Sequence, residues 1–405
     1  MHMRTRTHAD RTPGLRRVVT AEQINGRTRM LVGALRSPAQ QRPPQLSGPG
    51  TRRTRGCERR RAAALALILG LLAVGMATPA MAAPSTSAKF IAVPSLRESG
   101  ADYPQAINQR GSLVGATVLP PFSVYNLHAT LWNARKPAVD LGSVGGGTSE
   151  ATGINSAGTI VGSASTSGYN TSAVIWDAST HAASYLPPLD PNVYGSSRAR
   201  GINTAGLVAG DANSHAVVWD PAVDSVADIG DLCGRGSGAA DINDLGYVVG
   251  ASYPCSGPSR HAFVWNPNTS AMTDITPDAT YSEAQAINSA GQVVGFRYDS
   301  SYQCSTPIFW DPATGTTTDI SLGVCAEDGR ANDINSKGQV VGSGYNKAFM
   351  WSQASGYVDL NQLVPTGWTI NYATGINDRG EITGTATDIN FRQRGFILTL
   401  PKAYR

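Results

Sequence analysis

Seven asparagines in this chain, at positions 108, 155, 203, 243, 288, 335 and 377, are each preceded by the residues best suited to chemistry. Five positions ahead stand Tyr103, Glu150, Arg198, Gly238, Glu283, Arg330 and Tyr372, and three ahead stand Gln105, Thr152, Arg200, Ala240, Gln285, Asn332 and Thr374. Tyr, Glu and Arg converging on one opening would hold a polar ligand through hydrogen bonds and charge. Tyr103, Glu150, Arg198, Arg200, Glu283, Arg330 and Tyr372 are therefore the candidate ligand-binding residues. Cleavage of a polymer would instead need an acid or base among Glu150, Glu283, Glu327, Arg198 or Arg330. Glu150 and Glu283 precede the second and fifth asparagines, a separation that works against their acting together. The competing structural reading is that these charges only keep a rim solvated. The chain holds no Gly-x-Ser-x-Gly elbow, phosphate loop or His-Glu-x-x-His helix. No catalytic residue, cofactor or metal is assigned.

The elements that position these residues follow from the pattern Ile-Asn-x-x-Gly-x-x-x-Gly, repeated seven times at intervals of 40 to 48 residues. Asn closes a turn with its side chain, and the Gly three residues on can take positive φ, so each copy joins two antiparallel strands. Apolar pairs such as Val248-Val249 and Val340-Val341 begin the second strand. A third, continuously apolar strand ends in Trp132, Trp176, Trp219, Trp265, Trp310 or Trp351, with Leu398 in the last copy. These tryptophans read as core anchors. A fourth strand contains Asp140, Asp228, Asp274, Asp319 or Asp359.

Four short antiparallel strands in about 45 residues make the blade of a β-propeller. The expected fold is all-β, a seven-bladed β-propeller over residues 84–405. The seventh copy stops after its third strand, and Lys89 to Leu96 resembles a stray fourth strand. Pairing of the two would close the last blade with the N-terminus and remove an apolar edge.

That geometry also orders the cysteines. Cys233 and Cys325 fall between a fourth strand and the next blade, while Cys255 and Cys304 fall between second and third strands, on the same face. The expected disulfides are Cys233 with Cys255 and Cys304 with Cys325. His128, His215 and His261 share one register and are spread around the ring, which favours structural roles over a shared metal.

The hairpins, together with His261-Ala262-Phe263 ahead of Trp265, resemble the bacterial extracellular HAF repeat family over roughly Tyr103 to Leu398. His128 and His215 keep the His-Ala, whereas other copies have Ser172, Thr306, Lys347 and Arg394. The resemblance implies an exported repeat protein and brings no assigned activity.

Charge divides the chain. Residues 1–83 hold 15 Arg and three acids, a net of +12, and the rest carries −8, so the basic excess is not a nucleic-acid footprint. Residues 1–58 read as a disordered basic extension or a misassigned start. Residues 59–83 read as a signal peptide: Arg59, Arg60 and Arg61, an apolar run from Ala62 to Met76, then Ala80-Met81-Ala82. The run falls short of the ~20 residues of a membrane span. The reading is a monomeric, secreted, periplasmic or envelope-associated binding module without catalysis, whose partner is a surface polysaccharide or protein and not nucleic acid. The alternative is an extracellular polysaccharide lyase or hydrolase with its site at the channel mouth.

Overall fold

Each repeat is a hairpin whose turn the asparagine builds. In the second copy Asn155 Oδ1 accepts the backbone N–H groups of Ala157, Gly158 and Thr159 at 3.0–3.1 Å, and Gly158 sits at φ 103°. The second glycine of the motif has a different cause. A Cβ on Gly162 would lie 2.0 Å from the Glu150 carbonyl oxygen, and the equivalent glycine of every copy meets the opposing strand equally closely. There a β-bulge presses the two backbones together.

The computed structural model describes residues 88–405, apart from Ser99, 121–125, Gly146, 166–169, Tyr194, 324–325 and Glu327. The extension at 1–58 and the export signal at 59–83 lie outside the described residues. So do Cys325 and Glu327.

The described strands form seven four-stranded antiparallel sheets, the blades of a propeller. Blade 1 contains Ala101–Ile107, Ser112–Val118, Leu127–Asn133 and Lys136–Asp140. The first strands of blades 2 to 7 are Ser149–Ile154, Ser197–Ile202, Ser237–Ile242, Tyr281–Ile287, Arg330–Ile334 and Trp368–Ile376. Each first strand touches those of both neighbouring blades, and that of blade 7 touches that of blade 1, so the ring closes. Blade 7 is completed as expected: Lys89–Ala92 pairs antiparallel with Gln393–Thr399, setting Phe90 opposite Leu398 and Ile91 opposite Ile397.

Hydrophobic clusters lie between successive blades, each drawing on the sheets either side. Trp132, Trp176 and Trp219 are fully buried, and the indole N–H groups of Trp176 and Trp219 donate to Leu141 and Pro187 carbonyls of the preceding blade. Trp265, Trp310 and Trp351 are only half-buried. In those three blades the residue two places earlier on the same face, Phe263, Ile308 or Phe349, is fully buried.

Polar links join the blades as well. Ser149, Ser197, Ser237 and Ser282 each accept the N–H of an alanine in the third strand of the preceding blade, at 2.8–2.9 Å. In blade 1 the equivalent position is Asp102, which accepts hydrogen bonds from Ser95 and Thr117 where the N-terminal strap meets the ring. Burial pushes its carboxyl up to about 6, against those donors. Among the described residues no helix is long and apolar enough to cross a membrane.

Candidate functional site

A bulge at one equivalent position of every first strand builds the channel wall, and the first strand of blade 7 has a second irregularity between Ile370 and Tyr372. In every blade the ladder skips the residue three before the asparagine: Gln105, Thr152, Arg200, Ala240, Gln285, Asn332 and Thr374. A bulge re-aims the extra side chain, and all seven line one cavity of about 690 Å³. Three also tie blades together: Thr152 donates to the Ala199 carbonyl, Asn332 to that of Ala373 and Thr374 to that of Pro104, each at 2.8 Å. Three residues further along, at the opposite end of the strands, the asparagines form a second belt. Each Nδ2 donates to the main-chain carbonyl of the next asparagine, from Asn108 to Asn155 and round to Asn377 back to Asn108, at 3.0–3.2 Å.

Of the seven candidates, Arg200, Glu283, Arg330 and Tyr372 stand in the cavity wall. Arg198 lines an adjoining recess of about 480 Å³ that shares Arg200, Asp211 and Arg260 with the first. Arg198 and Arg200 both approach Asp211, at 3.9 and 3.5 Å. Tyr103 donates its hydroxyl to Gln393 Oε1 of blade 7 at 2.8 Å. Glu150 accepts from Gln105 at 3.4 Å; burial raises its carboxyl above the ordinary range, and Arg200 and Arg198 pull it back down.

Glu283 has a different set of partners. The Tyr281 hydroxyl donates to its Oε1 and the Gln285 amide to its Oε2. Tyr281 is raised far above a phenol's usual value, first by burial and then by the bond to Glu283. Glu150 and Glu283 are thus held by separate residues, with no partner in common.

Arg260 and Asp211 belong to the wall but escape the repeat pattern. Arg260 precedes the third strand of blade 4, so only knowledge of the rim, and not the asparagine register, would have found it. Below the bulges Asp241 and Asp333 occupy a position that is Gly or Ala in the other blades. Each accepts the N–H of an isoleucine in the first strand of the next blade: Ile287 at 3.0 Å for Asp241 and Ile376 at 2.7 Å for Asp333. Burial pushes Asp241 up to about 7 and Asp333 up to about 6.

Cys233 and Cys255 form a disulfide on the face where the cavity opens. Cys304 is also disulfide-bonded, and Cys325, its expected partner, lies outside the described residues. The three repeat-register histidines each meet the fourth-strand aspartate of their own blade: His128 with Asp140 at 3.0 Å, His215 with Asp228 at 2.8 Å and His261 with Asp274 at 2.7 Å. Among the described residues no group of three or more His, Cys, Asp or Glu is placed to hold a metal ion.

No family model matches the chain, and no curated protein does. Among solved structures, it is similar to TolB from Acinetobacter baumannii, at 10% identity and TM-score 0.42, over 76% of this chain and 65% of that one. An oligogalacturonate lyase from Vibrio parahaemolyticus matches at 12% identity and TM-score 0.43, over 78% and 93% of the two chains. The β-propeller domain of the Trilobed protease from Pyrococcus furiosus matches at 9% identity and TM-score 0.48, over 74% and 94%. At such identities the likeness concerns the fold alone.

Proposed function

We propose that this chain is an exported propeller of the HAF repeat type that binds a surface polysaccharide or protein at the channel mouth, without catalysis. The observation that carries the reading is the contrast within one set of seven equivalent positions. The asparagine belt is the same residue in every blade, whereas the bulge belt, which lines a 690 Å³ cavity, varies from Arg to Thr to Ala. A regular scaffold with an irregular, concave, polar opening is the arrangement of a binding site. Export is supported by the Cys233–Cys255 disulfide together with the signal-like segment at 59–83.

The test is retention of the full chain on a glycan array and on whole cells, with Arg200→Ala and Tyr372→Ala as mouth variants. Specific retention that both variants weaken supports the reading, and no reproducible retention on either overturns it. The second reading, a polysaccharide lyase or hydrolase, is favoured by one feature: the carboxyl of Glu150 is raised by burial beside two arginines. Turnover of a polysaccharide, lost in Glu150→Gln and Glu283→Gln, would establish it.

A further inference from the structure

Four arginines reach the mouth region, and they fall into two kinds. Arg198 and Arg200 share the carboxylate of Asp211. Arg260 and Arg330 have no ion-pair partner among the described residues. Each guanidinium instead lies over an aromatic ring, Arg260 over Tyr253 at 5.1 Å and Arg330 over Phe296 at 4.1 Å. A cation–π contact of this kind holds a guanidinium in place without using its N–H donors, which stay available to another acceptor. Both residues are half-buried in the wall of the same cavity.

Three carboxylates share the wall with them, and each is otherwise engaged: Asp211 faces Arg198 and Arg200, and Asp328 Oδ1 accepts the Tyr345 N–H. Glu283 lines the cavity from blade 5, between the blades that bear Arg260 and Arg330, yet its two oxygens accept from Tyr281 and Gln285. Arg260 comes from blade 4 and Arg330 from blade 6, on either side of the blade that bears Tyr281 and Glu283. A half-buried guanidinium with unspent donors in a partly desolvated cavity is matched by an oxyanion, which it binds through paired, charge-assisted hydrogen bonds.

The remainder of the wall decides what carries the oxyanion. Among the described residues it holds no aliphatic side chain larger than Ala, and Tyr372 is the single aromatic. Around the channel stand the amides of Gln105, Gln285 and Asn332 and the hydroxyls of Thr152 and Thr374. Such a surface offers nothing to the apolar side chains of a peptide and a great deal to a ring of hydroxyl groups. A cavity of about 690 Å³ lies within the range for a small ligand or the end of a longer one.

We infer that the mouth takes an acidic oligosaccharide, with a sugar carboxylate or sulfate held between Arg260 and Arg330 and the sugar hydroxyls on the bulge-residue amides and hydroxyls. This deepens the binding reading and rests on it.

Calorimetric titration of the full chain with four probes tests the inference: a trisaccharide of uronic acids, its carboxyl-reduced neutral counterpart, a sulfated neutral trisaccharide and an acidic tripeptide. The acidic sugars bind saturably, the neutral one at least tenfold more weakly. Arg260→Gln and Arg330→Gln each weaken the acidic sugars tenfold or more. Arg330→Lys restores little, because an ammonium lacks the planar fork. Arg379→Gln, on the opposite face beside Glu381, changes nothing. Unaltered urea midpoints show that the variants fold. The uronic and sulfated arms distinguish the source of the oxyanion. Equal binding of the neutral trisaccharide, unaffected by the two Gln variants, would overturn the acidic ligand and leave the binding module standing. Tighter binding of the tripeptide would overturn the sugar. Failure of all four probes, with retention on cells intact, would also overturn the inference, whereas loss of cell retention too would remove the binding reading itself.

Discussion

The asparagine belt and the bulge belt lie three residues apart on the same seven strands, yet they behave as opposites. The asparagines are 1–6% exposed, each makes the same bond to the next blade, and the residue never changes. The bulge residues face the channel, make inter-blade bonds in only some blades, and range from Arg200 to Ala240. A buried polar group with a fixed partner admits almost no substitute, because its loss leaves donors and carbonyls unpaired. A side chain re-aimed into an open cavity is free to differ. The difference matches a stabilising role for one belt and, on the proposed function, recognition for the other.

The strongest way to break this contrast is to disturb the bulge backbone and not its side chain. In Gly250→Ala a Cβ would stand 2.1 Å from the Gly238 carbonyl oxygen, and the resulting rearrangement should cost about 4 kcal/mol, at the severe end for a point mutation. Urea unfolding measures it, and a change below a quarter of that would show that the bulge yields easily. Removing the Cys233–Cys255 link, whose partners are 22 residues apart, should cost about 3 kcal/mol by chain entropy and act on the mouth-side loops alone. Comparison of Cys255→Ser with wild type under non-reducing conditions reads this out.

Asn155→Ala removes one link to Asn203 and three turn bonds, at about 2 kcal/mol, and should leave ligand retention unchanged. Lost retention at full stability would merge the two belts. Asp241 and Asp333 sit between the belts and sharpen the comparison through pH. Their folded values, about 7 and about 6, exceed the ordinary 3.8, so their contribution is fully present below pH 4 and is lost as pH rises through 6 to 7. The Asp241→Asn, Asp333→Asn double variant should therefore show a flatter fall in urea midpoint from pH 4 to 8 than wild type. The smallest effect belongs to the bulge belt: Arg200→Ala, breaking a half-exposed pair with Asp211, should change stability by under about 0.5 kcal/mol. A loss above 1 kcal/mol in the same titration would make Arg200 a structural residue.

Much of the fold was legible because its rules are local. The positive φ at Gly158 and the turn bonds of Asn155 involve residues within a few positions of each other. The closing strand was legible because the last copy lacks a fourth strand and the N-terminus offers one. The site was less legible. Arg260 carries no repeat signature, and the tie between Tyr103 and Gln393 spans 290 positions. The partial exposure of Trp265, Trp310 and Trp351, against full burial of Trp132, Trp176 and Trp219 in the same register, is set by packing that register alone does not rank.

Taken alone, the chain's order of residues specified seven hairpins, their strand count and the partner of Cys233, since turn geometry and glycine's missing side chain act over a handful of bonds. Only closure of the ring decided that each asparagine would bond to the next, and that Arg260 and Arg330 would share a cavity without an ion pair to any of its carboxylates. Those outcomes depend on groups some 40 or more residues apart being brought within a few ångströms, and distances of that kind are set by packing.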